Sequence, residues 1–89
     1  MNDWCVYMLR CADDTLYTGV TNNIEKRIRT HNTSSAGAKY TKARRPVTLA
    51  YLEEFLTRGE ALQREAVLRK LPRTVKLDLS AGFLSTFLR

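Results

Sequence analysis

The sequence predicts one mixed α and β domain, of the α+β class. Two observations carry the prediction. Trp4–Cys11, Leu16–Thr21 and Val47–Leu56 are runs rich in aromatic and branched apolar residues, the composition of strands. Residues 23–31 and 57–71 instead place apolar side chains at helical spacing behind capping oxygens. The chain of 89 residues is too short for two independent cores. Its hydrophobic share of 44% is close to the globular average, so it folds rather than staying disordered, and residues 1–89 are expected to form a single domain.

Taken in order, Ala12-Asp13-Asp14-Thr15 reads as the turn joining the first two strands, with the aspartates bonding the local backbone. The hairpin register then decides a matter of function. If facing residue numbers add to an even value, Tyr7 and Tyr17 share one face, opposite or diagonal; a one-residue slip separates them. Thr21-Asn22-Asn23 offers N-cap oxygens for a helix from about Asn23 to His31. At about 100° per residue, Ile24, Ile28 and His31 fall on one stripe, with Arg27 at its edge. His31 thus stands where an apolar residue is expected. A lone histidine there is more often a hydrogen-bonded core residue than a catalytic one.

Thr33–Gly37 is a loop of small residues, and Lys39–Arg45 is basic with one aromatic, Tyr40. Pro46 stops any helix. Along the third strand, Leu49, Tyr51 and Glu53 should face one way and Ala50, Leu52 and Glu54 the other. Thr57-Arg58-Gly59-Glu60 has the pattern of a capping box, opening a helix to about Leu71, before Pro72. Ala61, Leu62 and Leu68 make its inner face. Glu65 projects within that arc, and a buried carboxylate needs a partner. That partner is either Arg69, one turn on, or a cation at the sheet edge. Arg73–Leu79 reads as a short last helix. The apolar tail 81–89 should pack on the sheet or mediate self-association.

The net charge is +6. Through His31, four basic and four acidic residues cancel, so all of the excess lies beyond, in eleven basic against five acidic residues. A basic surface of this kind serves either solubility or a polyanionic partner, most often nucleic acid. Lys39, Tyr40, Lys42, Arg44 and Arg45 combine charges for phosphates with a ring for stacking. No apolar run approaches the ~20 residues that span a bilayer, and Met1-Asn2-Asp3-Trp4 has no signal-peptide pattern. No membrane partner is expected, and the expected location is cytoplasmic. Cys5 and Cys11 on one strand lie roughly 20 Å apart, too far for a disulfide. With a single histidine in the chain, a structural zinc site is not expected.

The remaining unusual polar residues are Tyr7, Tyr17, Arg27, His31 and Glu65. Phosphodiester hydrolysis needs groups of these kinds, to deprotonate water, offset charge in the transition state and hold a cation at the leaving oxygen. Arginine suits a phosphate through its paired donors, and a carboxylate suits Mg2+. Spacing alone leaves a nuclease as one possibility among several.

In their order along the chain, Val6-Tyr7, then Tyr17-Thr18-Gly19, Arg27 in a helix, His31 and a later helical Glu65 resemble the GIY-YIG nuclease domain. The resemblance covers nearly the whole chain and is nearest to small stand-alone bacterial members, through Gly37-Ala38-Lys39-Tyr40-Thr41 and Arg44-Arg45-Pro46. It implies a small three-stranded, mainly antiparallel sheet flanked by helices. It implies that Tyr7 and Tyr17 line the site, one of them activating water, and that Arg27 contacts the scissile phosphate. His31 would assist proton transfer or position a tyrosine. Glu65 would hold a single Mg2+ or Mn2+, and Gly19 would permit a close approach to the nucleic acid. The implied activity is metal-dependent cleavage of DNA, or alternatively RNA, with low sequence specificity, in repair or recombination. The chain departs from the pattern in having Cys-Val-Tyr and Tyr-Thr-Gly, and in lacking any asparagine beyond Asn32, with Asp78 the nearest polar candidate. The missing asparagine and the +6 charge also fit a non-catalytic nucleic-acid-binding module on the same scaffold.

Overall fold

Trp4–Arg10 (β1) and Leu16–Thr21 (β2) form the expected antiparallel hairpin in the computed structural model, which describes residues 3–34 and 36–87. The turn is held locally: Asp13 Oδ1 accepts from both the backbone N–H and the hydroxyl of Thr15. Asp14 sits at φ 66°, a left-handed conformation that aspartate tolerates better than most residues. Thr48–Phe55 (β3) pairs antiparallel with the other side of β1, so the sheet order is β2-β1-β3.

As the centre strand, β1 is covered on both faces, and Cys5 to Leu9 are all buried. Its continuous apolar run, without alternation, follows from that position. On one face Tyr7, Leu9, Cys11 and Val47 pack with Ile24 and Ile28 of α1 (Ile24–Thr33). On the other, Val6 packs with Ala61 and Leu68 of α3 (Arg58–Lys70) and with Leu79 of α4 (Arg73–Phe87). Full burial of a leucine such as Leu68 is worth about 1.5–3 kcal/mol. Cys5 and Cys11 are both free thiols in the core.

The caps are those expected. Asn23 accepts from Lys26 N–H to start α1, and Thr57 accepts from Glu60 N–H to start α3. The basic segment contributes a four-residue helix, α2 (Lys39–Lys42).

Three expectations are corrected. The register of β1 on β3 shifts between Met8 and Leu9, whose partners are Tyr51 and Leu49, so Ala50 is an extra, bulged residue. A bulge inverts the alternation beyond it. Leu49 therefore joins Leu52 on the α1 face, and Tyr51 goes with Phe55 to the other. Leu62 is not on the inner face of α3 but 38% exposed. Ala61, Arg64, Glu65 and Leu68 instead form the sheet-facing stripe, and Arg64 meets Glu53 of β3 at 3.1 Å. Finally, α4 does not stop at Leu79. Ser80 is buried, and Phe83 stands edge-on to Tyr51 with ring centroids 6.0 Å apart. Packing of this stripe outweighs the ~1 kcal/mol that Gly82 costs a helix relative to alanine. Most of the apolar tail thus covers β3; its last two residues lie outside the described ones.

Candidate functional site

The hairpin pairs Tyr7 with Gly19 and Leu9 with Tyr17. Tyr7 and Tyr17 are therefore diagonal neighbours on one face, with ring centroids 6.3 Å apart. Gly19 makes the site's innermost contact possible. A Cβ at that position would lie 2.4 Å from Tyr7 Oη and 2.6 Å from its Cζ. The Tyr7 ring thus crosses the space left by the missing side chain. Gly19 is itself buried, so the close approach expected there is made by the phenol of Tyr7 and not by a nucleic acid.

Tyr7 is 1% exposed, and its hydroxyl lies 2.8 Å from His31 Nε2. The other ring nitrogen, Nδ1, lies 2.9 Å from Thr41 Oγ1. Thr41 in turn donates its one hydroxyl proton to Ala38 O at 2.9 Å. The chain of bonds selects a tautomer. With the Thr41 proton committed, His31 Nδ1 carries the ring proton and donates it to Thr41. Nε2 is then the acceptor, and the Tyr7 hydroxyl donates to it. In the opposite tautomer the buried phenol proton would have no acceptor, at a cost of about 1–3 kcal/mol.

Burial pushes the Tyr7 phenol up to about 12, although the neighbouring Arg27 guanidinium pulls the other way. Burial also pushes His31 down to about 4, helped by the positive charges of Arg27 and Arg45. Both groups are therefore neutral at pH 7. His31 is a satisfied core residue that is also hydrogen-bonded to a tyrosine of the cluster.

Tyr17 is the more open phenol. Its ring lies edge-on to His31 at 5.1 Å and stacks on Tyr40 at 6.0 Å and 30°. The Arg44 guanidinium caps Tyr40 3.9 Å from the ring centroid, and Asp13 holds it at 2.9 Å. Tyr40 is thus already engaged by a ring and a cation. Arg45 donates to the carbonyls of His31 and Ser34, tying down the end of α1. Lys39 and Lys42 are exposed on α2.

Glu65 approaches from the other side of the sheet. It makes no hydrogen bond to either tyrosine; its partner is Arg69, at 3.3 Å, as the one-turn spacing allows. Arg69 also donates to Thr18 O of β2 at 3.1 Å and lines, with Tyr17, Tyr40 and Lys76, an open cavity of about 310 Å3. The carboxylate is therefore one side chain removed from the cavity that Tyr17 faces. Asp78 is exposed on α4.

Mg2+ typically takes one or two carboxylates from a protein and completes its shell with water and substrate phosphate. Glu65 suits that demand. Its side chain is 19% exposed, and only one of its oxygens, Oε2, has a hydrogen bond among the described residues. No group of three or more His, Cys, Asp or Glu side chains stands together among the described residues.

The places of two residues in the site were not legible in the sequence. Thr41 is ten residues from His31, in a segment whose composition signals only charge. Arg69 was legible as the partner of Glu65 but not as a wall of the Tyr17 cavity, because its contact with Thr18 spans 51 residues.

Comparison with known proteins places these observations in a family. A family model described as the GIY-YIG catalytic domain matches residues 3–78. The UPF0213 protein of Syntrophus aciditrophicus is 54% identical over 74 residues, 83% of this chain and 85% of that protein. That of Desulfotalea psychrophila is 51% identical over 76 residues, 85% of this chain and 69% of that protein. The solution NMR structure of the UPF0213 protein BH0048 from Bacillus halodurans is similar at a TM-score of 0.56 and 38% identity, covering 91% of this chain and 84% of that one. The NMR structure of the protein EF2693 from E. faecalis is similar at 0.58 and 37% identity, covering 98% and 91%.

Proposed function

The chain belongs to the GIY-YIG family of nuclease catalytic domains, and from that premise we propose that it is a divalent-metal-dependent nuclease. It hydrolyses phosphodiester bonds in DNA with little sequence preference, on intermediates of repair or recombination. The observation that carries the reading is the shared cavity: Tyr17 and Arg69 line it, and Arg69 holds Glu65 beside it.

The two tyrosines have different parts. Burial disfavours both the Tyr7 phenolate and the His31 imidazolium, so moving the Tyr7 proton to His31 is opposed at both ends. Tyr7, His31 and Thr41 therefore form a neutral, hydrogen-bonded support. Tyr17 is the phenol that meets the attacking water, held in place by its contacts with the Tyr7, His31 and Tyr40 rings. Arg69, in the same cavity as Tyr17, and Arg27, beside the Tyr7 phenol, add positive charge that favours an approaching phosphate. Glu65 would hold Mg2+ or Mn2+, which, when bound, supplies charge stabilisation at the leaving oxygen.

The test incubates the protein with Mg2+ or Mn2+ and nicked, flapped, branched and single-stranded DNA. At least one substrate should be cut. Tyr17→Phe should lower the rate about a hundredfold or more, the lower end of what a positioned acid or base contributes. Tyr7→Phe should act chiefly on stability. If nothing is cut, or if Glu65→Ala cuts as well as wild type, the reading fails.

The pairing of Glu65 with Arg69 favours a second reading, a non-catalytic nucleic-acid-binding module. It predicts salt-dependent binding of DNA that survives Glu65→Ala and weakens in Arg44→Ala.

A further inference from the structure

The junction of α3 and α4 lays three cations along the outer strand of the sheet. Arg69 donates to Thr18 O on β2 at 3.1 Å. Arg73, the first residue of α4, donates to Asp14 O, two residues before β2 begins, at 2.8 Å. Lys76, one turn further, donates to Arg69 O at 3.3 Å. The cavity at Tyr17 is adjoined by a second, of about 240 Å3, lined by Thr15, Leu16, Tyr40, Arg73 and Lys76. Leu16, Tyr40 and Lys76 belong to both, so the two are one trough. Its floor is the β2 edge. Tyr17 and Tyr40 are on one wall, and Arg69, Arg73 and Lys76 are on the other.

Charge in the trough is one-sided. Glu65 is paired with Arg69, and the Asp14 carboxylate is paired with Arg10 on the hairpin. Asp78 is two residues from Lys76, about 200° round the helix. The cations are also spread out. Thr18 lies within β2 and Asp14 in the turn before it, and the cations line two adjoining cavities. A strand of nucleic acid, with a phosphate every 3.4 Å of axis, offers such a row several phosphates where a small anion offers one charge. Each guanidinium has five N–H donors, of which most are unused among the described residues, while its bond to a backbone carbonyl restrains it. Holding these side chains in advance lowers the entropy lost on binding.

We propose that this trough is the seat of one phosphodiester strand, with Arg69, Arg73 and Lys76 taking neighbouring phosphates and the Tyr17–Tyr40 wall facing the sugars and bases. The inference rests on the nucleic-acid reading above and names where that partner lies. It moves the main phosphate contacts from the Lys39–Arg45 segment to the α3–α4 junction, some thirty residues later.

The test is fluorescence anisotropy of a labelled DNA 20-mer, single-stranded and duplex, with EDTA present so that cleavage does not intervene. Wild type is compared across a salt series with Arg73→Ala/Lys76→Ala and with Lys26→Ala/Arg29→Ala, a charge-matched control on the exposed side of α1. Circular dichroism establishes that both variants are folded. Loss of two phosphate contacts should reduce the slope of log K against log salt by about 1.4–1.8, with the control changing it by less than half as much. If wild type binds and the trough variant keeps its slope and affinity, or if the control loses as much, this inference is overturned and the nuclease reading stands. If wild type binds neither DNA, both fall. If it binds but cuts nothing, the nuclease reading falls and the trough assignment stands or falls on the slopes alone.

Discussion

The Tyr7 hydroxyl reaches His31 Nε2 at 2.8 Å only because position 19, directly across the hairpin, has no side chain. Glycine is required there for space, since no glycine among the described residues has a positive φ. The first tyrosine, the glycine of the second motif and the histidine are thus one interlocked unit.

Gly19→Ala places a methyl 2.4 Å from the phenol oxygen, and the ring must move. Overpacking of this kind typically costs about 1–3 kcal/mol. For a domain of this size each kcal/mol lowers Tm by about 4–8 °C. Thermal unfolding should show that loss, and an unchanged Tm would contradict the interlock.

The depressed pKa of His31 makes stability pH-dependent. Its unfolded value is near 6.5 and its folded value about 4, so in that window the unfolded chain binds more protons. The contribution is complete above pH 6.5 and is lost as the pH falls toward 4. Its size is about 3 kcal/mol, from 1.36 kcal/mol per pH unit. Urea unfolding of wild type and His31→Gln between pH 4 and 7 should converge at the acid end. Parallel curves would show that His31 titrates normally in the fold.

Thr41 sets the histidine tautomer, which 15N NMR of the imidazole reads directly. Wild type and Thr41→Ser should carry the proton on Nδ1. Thr41→Val leaves that N–H without its acceptor, which should cost about 1–3 kcal/mol and disturb the tautomer. A wild-type proton on Nε2 would reverse the direction assigned to the Tyr7 bond.

Arg69 competes with any cation at Glu65. The pair is partly exposed and worth no more than about 1 kcal/mol. Removing it in Arg69→Met should therefore tighten Mn2+ binding by less than tenfold, measured by electron paramagnetic resonance of the free ion. Glu65→Gln should abolish that binding. Equal Mn2+ affinity in Glu65→Gln and wild type would exclude this carboxylate as the metal ligand.

What could be read from the residues alone was local. The turn at Asp13, the caps at Asn23 and Thr57 and the strand composition of β1 depend on groups within about four positions of each other, so a short window contains the cause. The shared face of Tyr7 and Tyr17 was legible only as a condition on register, which the hairpin then met. The phase of β3 was not legible, because the bulge at Ala50 answers to its pairing with β1 and not to its own pattern. Nor was the extent of α4, whose Phe83 gains its reason to be helical from Tyr51 on another element.

The order of chemical groups along the chain determined the family, the strands, the caps and which side chains were candidates. Tertiary structure alone decided which candidates meet. Tyr7 finds His31 across 24 residues, Arg69 finds Thr18 across 51 and Arg73 finds Asp14 across 59. Such contacts arise when the sheet brings distant strands and helices to one edge, and burial then sets the protonation of Tyr7 and His31 that no spacing in the sequence encodes.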